Sequence, residues 1–134
     1  MAKKSGARNA VDGCPCGSGR AYAQCCGRYV DGGELPDTAE QLMRSRYTAY
    51  TLAREDYLLA TWHVSTRPPS LGFEPAQQWL GLKIVRTEAG GATDAEGRVA
   101  FVARSKLGGR AQRLEEDSRF VKEGGRWYYV DGRY

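Results

Sequence analysis

The spacing of apolar residues changes once along this chain, near residue 82. Before that point Leu42, Met43, Tyr47, Ala49, Tyr50, Leu52 and Ala53 form a stripe near helical period. Thr38 is a good N-cap, and Gln41 three residues on makes a capping-box arrangement, so a helix is predicted to start there. On that count Arg44, Ser45, Thr48 and Arg54 face outward, with Arg46 at the edge of the stripe. A shorter helix is predicted from the N-cap candidate Asp56 through Trp62 and is ended by Arg67-Pro68-Pro69. Pro75 is placed to start a third short helix carrying Trp79 and Leu80.

From Leu82 the period becomes two. Leu82–Thr87, Arg98–Leu107, Arg113–Val121 and Arg126–Val130 read as strands, with glycine pairs at 90–91, 108–109 and 124–125 as turns. Val99, Phe101 and Ala103 share one face of the second strand. In the third, Glu116 shares a face with Leu114 and Phe120, while Glu115 and Asp117 lie with Arg113 and Arg119 in a charged ladder. Helices first and an antiparallel meander second predict an α+β fold, with helices packed on one face of a curved sheet of four or more strands.

Composition adds limits more than content. The 134 residues allow one domain with a small appendage, and 41% hydrophobic with 27% charged residues is ordinary for a globular chain. A net charge of +4 permits a nucleic-acid or ribosome partner without requiring one. No apolar run approaches a membrane span. The basic N-terminus lacks the apolar core of an export signal, so a cytoplasmic location is expected. Residues 1–12 read as a disordered basic tail.

The cysteines change the picture most. All 4 lie in Cys14-Pro15-Cys16-Gly17-Ser18-Gly19-Arg20-Ala21-Tyr22-Ala23-Gln24-Cys25-Cys26-Gly27, as two close pairs. Two such pairs can supply four soft ligands to a tetrahedral ion, and Gly17-Ser18-Gly19 lets the backbone fold over it. Zinc suits this donor set, and iron would also be accepted. Crossed disulfides between the pairs, or four free thiols, are the competing readings. With all four positions filled by thiolates the ion would be structural, since no open position is left for water or substrate. The segment is too poor in apolar surface to hold itself together without the ion.

This segment resembles the SEC-C motif, the metal-binding tail of the preprotein translocase ATPase SecA, at Cys14, Cys16, Gly17, Ser18, Gly19, Tyr22, Cys25, Cys26 and Gly27. The last ligand is cysteine here, where SecA has histidine. The later order, ending in Trp127-Tyr128-Tyr129-Val130-Asp131-Gly132, resembles the nuclear-transport-factor-2-like cone. Together they are similar to the YchJ-type family, through Leu42–Tyr47, Tyr57–His63 and Trp79–Leu82 as well. The resemblance implies a knuckle at 13–33 and a nuclear-transport-factor-2-like domain at 36–134. In SecA the motif binds the chaperone SecB and contacts the ribosome and lipid, so a partner in translation or export is what the resemblance implies.

Two functions are therefore expected to compete. In the first, a zinc-type knuckle acts as an adaptor, with Lys3, Lys4, Arg8, Arg20 and Arg28 offset only by Asp12, Asp31 and Glu34. Its partner would be a protein or ribosomal RNA. In the second, the cone binds a small molecule or acts as an enzyme near His63, the lone histidine, with the knuckle purely structural. Arg46, Tyr47, Tyr50, Trp62 and Arg119 are the candidate pocket residues for that case. A histidine that merely caps its helix is the simpler account of His63. The chain carries no nucleophile elbow, P-loop or dinucleotide fingerprint, so the expectation leans away from an enzyme.

Overall fold

The computed structural model describes residues 13–134. The expected basic tail, 1–12, lies outside the described residues. A 3-10 turn (Tyr22–Gln24) and helices α1 (Gly27–Val30), α2 (Ala39–Thr51) and α3 (Glu55–Ala60) come first. Strands β1 (Gln78–Ala89), β2 (Glu96–Leu107), β3 (Arg110–Glu123) and β4 (Arg126–Arg133) follow. They form one open antiparallel sheet in sequence order, with the helices packed on it.

The turn chemistry predicted from the glycine pairs holds. Gly108 and Gly109 have φ of 59° and 79°, and Gly124 and Gly125 have 60° and 78°. Two consecutive positive-φ residues match the twist of a tight hairpin, and glycine takes that conformation without a Cβ clash. The register places Phe101 opposite Glu116 and Phe120 opposite Tyr129. Bulges at Leu80 and Val85 keep Trp79, Leu82 and Ile84 on the helix-facing side of β1.

Helix α2 is the axis of the packing. Thr38 caps it, its hydroxyl accepting from the Gln41 amide at 3.1 Å. Its start is pinned to the sheet where the Ala39 amide donates to the Gly90 carbonyl at 2.9 Å. A Cβ on Gly90 would run into that of Ala39. Leu42, Met43 and Tyr47 then bury themselves against Val99, Phe101, Ala103, Phe120 and Trp127. Burying each such side chain is worth about 1.5–3 kcal/mol.

Four expectations from the sequence are corrected. Ser45 and Thr48 are buried, because neighbours cover the flanks of α2 as well as its core stripe. Ser45 Oγ meets the Tyr57 hydroxyl of α3 at 2.8 Å, and Thr48 Oγ1 lies 3.7 Å from Cys14 Sγ. Arg46 is buried for the same reason. Pro75 begins a turn, and Trp79 lies in β1 with its ring edge-on to Tyr47 at 5.8 Å. An aromatic side chain gains more on a half-buried pleated surface than in an isolated helical turn. Helix α3 begins at Glu55, ahead of Asp56, whose carboxylate is held by Arg54.

After α3 the chain runs along the edge of β4. The Tyr129 amide donates to the Thr61 carbonyl at 2.9 Å, and the His63 amide to the Tyr129 carbonyl at 2.8 Å. Among the described residues no helix is long and apolar enough to cross a membrane.

Candidate functional site

The knuckle is assembled by local backbone bonds. The Cys14 amide donates to the Arg20 carbonyl at 2.7 Å and the Gly17 amide to the Cys14 carbonyl at 3.0 Å. Gly17 and Gly19 take φ of 79° and 85°, which turns the chain back on itself. The turn at Tyr22–Gln24 then delivers Cys25 and Cys26 beside the first pair. All four cysteines are buried, packed against Tyr22 and Leu82.

Their four Sγ atoms lie within 4.8 Å of one another, and Cys16 and Cys25 sulfurs are 3.6 Å apart. A disulfide bond is about 2.05 Å long, so these sulfurs are not bridged. Four thiolates around an ion at about 2.3 Å form a tetrahedron with edges of about 3.8 Å. The spacing fits that arrangement, and the cluster could hold a metal ion.

The surroundings suit it too. A divalent ion with four thiolates carries a net double negative charge. Arg44 Nη1 donates to the Cys16 carbonyl at 2.9 Å, and Arg28 Nε to the Cys25 carbonyl at 3.0 Å. Two guanidinium groups thus stand beside the ligand backbone. Ser18 Oγ lies 3.1 Å from Cys25 Sγ. Hydrogen bonds with Cys16 and Cys26 hold the Cys14 thiol well below its ordinary range, while bonding to Cys14 and Cys16 pushes Cys26 up.

The knuckle is also fastened to the rest of the chain. Arg44 and Thr48 reach it from α2. Asp31, just beyond α1, accepts from the Tyr22 hydroxyl at 2.6 Å and from Arg54.

A second feature lies between α2, the 61–63 segment and the sheet. It is a cavity of about 250 Å³. Arg46, Tyr47, Tyr50 and Trp62 line it together. His63 does not: its Nδ1 lies 2.7 Å from Ser65 Oγ and its Nε2 3.0 Å from Glu123 at the surface. The bond from its amide to β4 sets it outside the space its neighbour Trp62 borders. Arg119 is on the opposite face of the sheet, where it pairs with Asp131 at 3.2 Å. That outer face carries the expected charged ladder, with Arg113–Glu115 at 3.2 Å and Arg86–Asp117 at 3.4 Å.

The cavity also contains residues that sequence reasoning passed over. Glu116 lines it, buried, with Oε2 accepting from Ser118 at 2.6 Å and from the Tyr129 hydroxyl at 3.0 Å. Strand alternation places Glu116 with Leu114 and Phe120, and that is the available signal. It is obscured by the acidic run around it. Gly132 completes the seat, since any Cβ there would collide with the Glu116 carboxylate.

Comparison with known proteins falls into place on this geometry. Residues 38–132 match the family model described as YchJ, middle NTF2-like domain, and residues 12–28 match the SEC-C motif. A UPF0225 protein of Chromobacterium violaceum is 55% identical over 98% of both chains. One from Polaromonas is 58% identical over 90% of this chain and 91% of its own. Among solved structures, a SEC-C motif containing protein from Rhodopseudomonas palustris superposes with a TM-score of 0.79. It is 33% identical and covers 91% of this chain and 98% of its own. Another from Psychrobacter arcticus gives 0.75 at 27% identity, covering 91% of this chain and 82% of its own.

Proposed function

This chain belongs to the YchJ family, carrying its middle NTF2-like domain behind a SEC-C motif, and on that footing we propose that Cys14, Cys16, Cys25 and Cys26 hold one zinc-type ion as four thiolates. The ion is structural. It folds residues 13–33 into a rigid knuckle on the side of the domain at 36–134, and the knuckle is the contact surface for a macromolecular partner in the cytoplasm. The observation that carries the reading is the convergence of four buried sulfurs to within 4.8 Å.

The partner half of the proposal rests on what the knuckle leaves uncovered. Gly19, Arg20, Ala23 and Gln24 are exposed, while the cysteines beneath them are buried. Arg28 is partly committed, with its guanidinium 4.7 Å over the Tyr29 ring. An exposed arginine on a small rigid loop suits a phosphate or an acidic side chain, so a ribosome or an acidic export chaperone is the class of partner that fits.

The test is co-sedimentation with ribosomes, and capture by SecB-type chaperones, across a salt series. Intact protein is compared with Cys25→Ser/Cys26→Ser protein after metal analysis of both. Salt-sensitive binding that disappears with the ion supports the adaptor role. A metal-loaded protein that binds neither partner at low salt overturns it and leaves the ion as a staple alone.

A further inference from the structure

The cavity beside α2 holds a second, independent signal. Arg46 is only 4% exposed, yet no carboxylate lies within ion-pair distance of it among the described residues. Its Nη1 donates to the Leu58 carbonyl at 2.8 Å and to Thr61 Oγ1 at 2.7 Å. Both of its side-chain hydrogen bonds run through Nη1. The guanidinium is flanked by the rings of Trp62 at 4.9 Å and Tyr129 at 4.7 Å. Among the described residues, Nε1 of Trp62 is the one enclosed side-chain nitrogen or oxygen without a partner. A buried donor left unsatisfied is costly, so that indole N–H needs an explanation. Burial itself pulls the Arg46 pKa down to about 10.

The same cavity contains Glu116, an acceptor already held in place by two hydroxyls. One cation and one anion therefore line it without touching each other. Their charges balance, so no net countercharge is called for. The remaining wall is aromatic or apolar, with Tyr47, Tyr50, Trp79 and Phe101. Flat rings pack favourably on such walls. A cavity of about 150 Å³ holds benzene, so this one has room for a substituted ring.

We propose that the cavity is a binding site for a small uncharged planar heterocycle with a cyclic-amide edge. Its carbonyl accepts from Arg46 and its N–H donates toward Glu116. An anion of the same size would gain Arg46 but meet Glu116, and a cation the reverse. The site is separate from the cysteine cluster and does not depend on the metal reading.

The test uses the full metal-loaded chain and the three tryptophan indole N–H resonances. Trp62 and Trp79 border the cavity, whereas Trp127 donates its Nε1–H to the Asp37 carbonyl at 3.0 Å and does not line it. Trp127 is thus an internal control. The probes are 2-pyridone and uracil as cyclic amides, benzoate as an anion and benzylamine as a cation. A cyclic amide should shift the Trp62 and Trp79 signals saturably at millimolar concentration and leave Trp127 in place. Benzoate and benzylamine should bind at least tenfold more weakly. Glu116→Gln, which keeps the side-chain volume, should weaken the cyclic amide about tenfold while the unliganded melting temperature shows that the fold persists. Arg46→Lys should do the same where it folds. Absence of a saturable shift with both cyclic amides overturns the proposal. So does a shift that includes Trp127, a preference for either charged probe, or full-strength binding to folded Glu116→Gln protein.

Discussion

The knuckle and the cone are two answers to the same problem of holding a short chain in place. The cone buries large side chains, with Trp127 and Phe120 fully enclosed between α2 and the sheet. The knuckle has few to bury, Tyr29 and Val30 chief among them, and converges on four sulfurs. A core built from apolar area is spread over many contacts, so no single side chain carries all of it. A knuckle that depends on one ion, as proposed, would have a single point of failure. The difference also decides where function can sit. The knuckle is a closed four-sulfur site, and the cone contains the one described cavity that pairs a buried arginine with a buried carboxylate.

The largest effect expected from this contrast comes with stripping the ion. In metal-free or Cys16→Ser protein, backbone amides of residues 13–30 should lose all protection from hydrogen exchange. Those of β2 and β3 should keep most of theirs. Next is the cone core. Trp127→Ala should cost about 3–5 kcal/mol, read as a lower urea midpoint. A retained metal content near the unfolding midpoint would mark the two regions as separate units.

The join between them should respond less. Thr48 Oγ1 faces Cys14 Sγ from α2. Thr48→Val should speed metal loss to a chelator about tenfold, the scale of a lost outer-shell contact, with little change in the cone. Smallest is the surface tie from Asp31 to Arg54 and Tyr22. The Tyr22 hydroxyl and the Arg54 guanidinium hold the Asp31 carboxyl below its ordinary value. A depressed carboxylate contributes stability above its unfolded pKa, and that contribution fades as pH falls through the lower folded one. Asp31→Asn should therefore cost under about 1 kcal/mol near neutrality, and the difference from the parent should shrink below about pH 4. Urea midpoints at two pH values check this.

How much could be read in advance follows the same division. The cysteine cluster is local, with every donor inside thirteen consecutive residues, so spacing and glycine placement were sufficient to find it. Two of the hairpins were legible for the same reason, because the glycine pairs 108–109 and 124–125 each fix their own turn; the β1–β2 connection is longer. The cavity is not local. Arg46, Trp62, Glu116 and Tyr129 come from a helix, a linking segment and two strands, and periodicity cannot tell which edge residue will be covered. Arg46 and Thr48 looked exposed or marginal because a single-helix stripe ignores what α3 and the knuckle add at its sides. Trp79 was misread as helical because the proline before it resembles a helix start, while its pairing with Ser105 lies 26 residues away.

The most direct test of the central claim is metal analysis with sulfur-sensitive X-ray absorption on protein purified without chelator, followed by removal of the ion. The account predicts one zinc-type ion per chain, a shell of four sulfurs at about 2.3 Å, and loss of order confined to the knuckle when it is stripped. A shell containing oxygen or nitrogen, or a knuckle that stays folded without any ion, would contradict it.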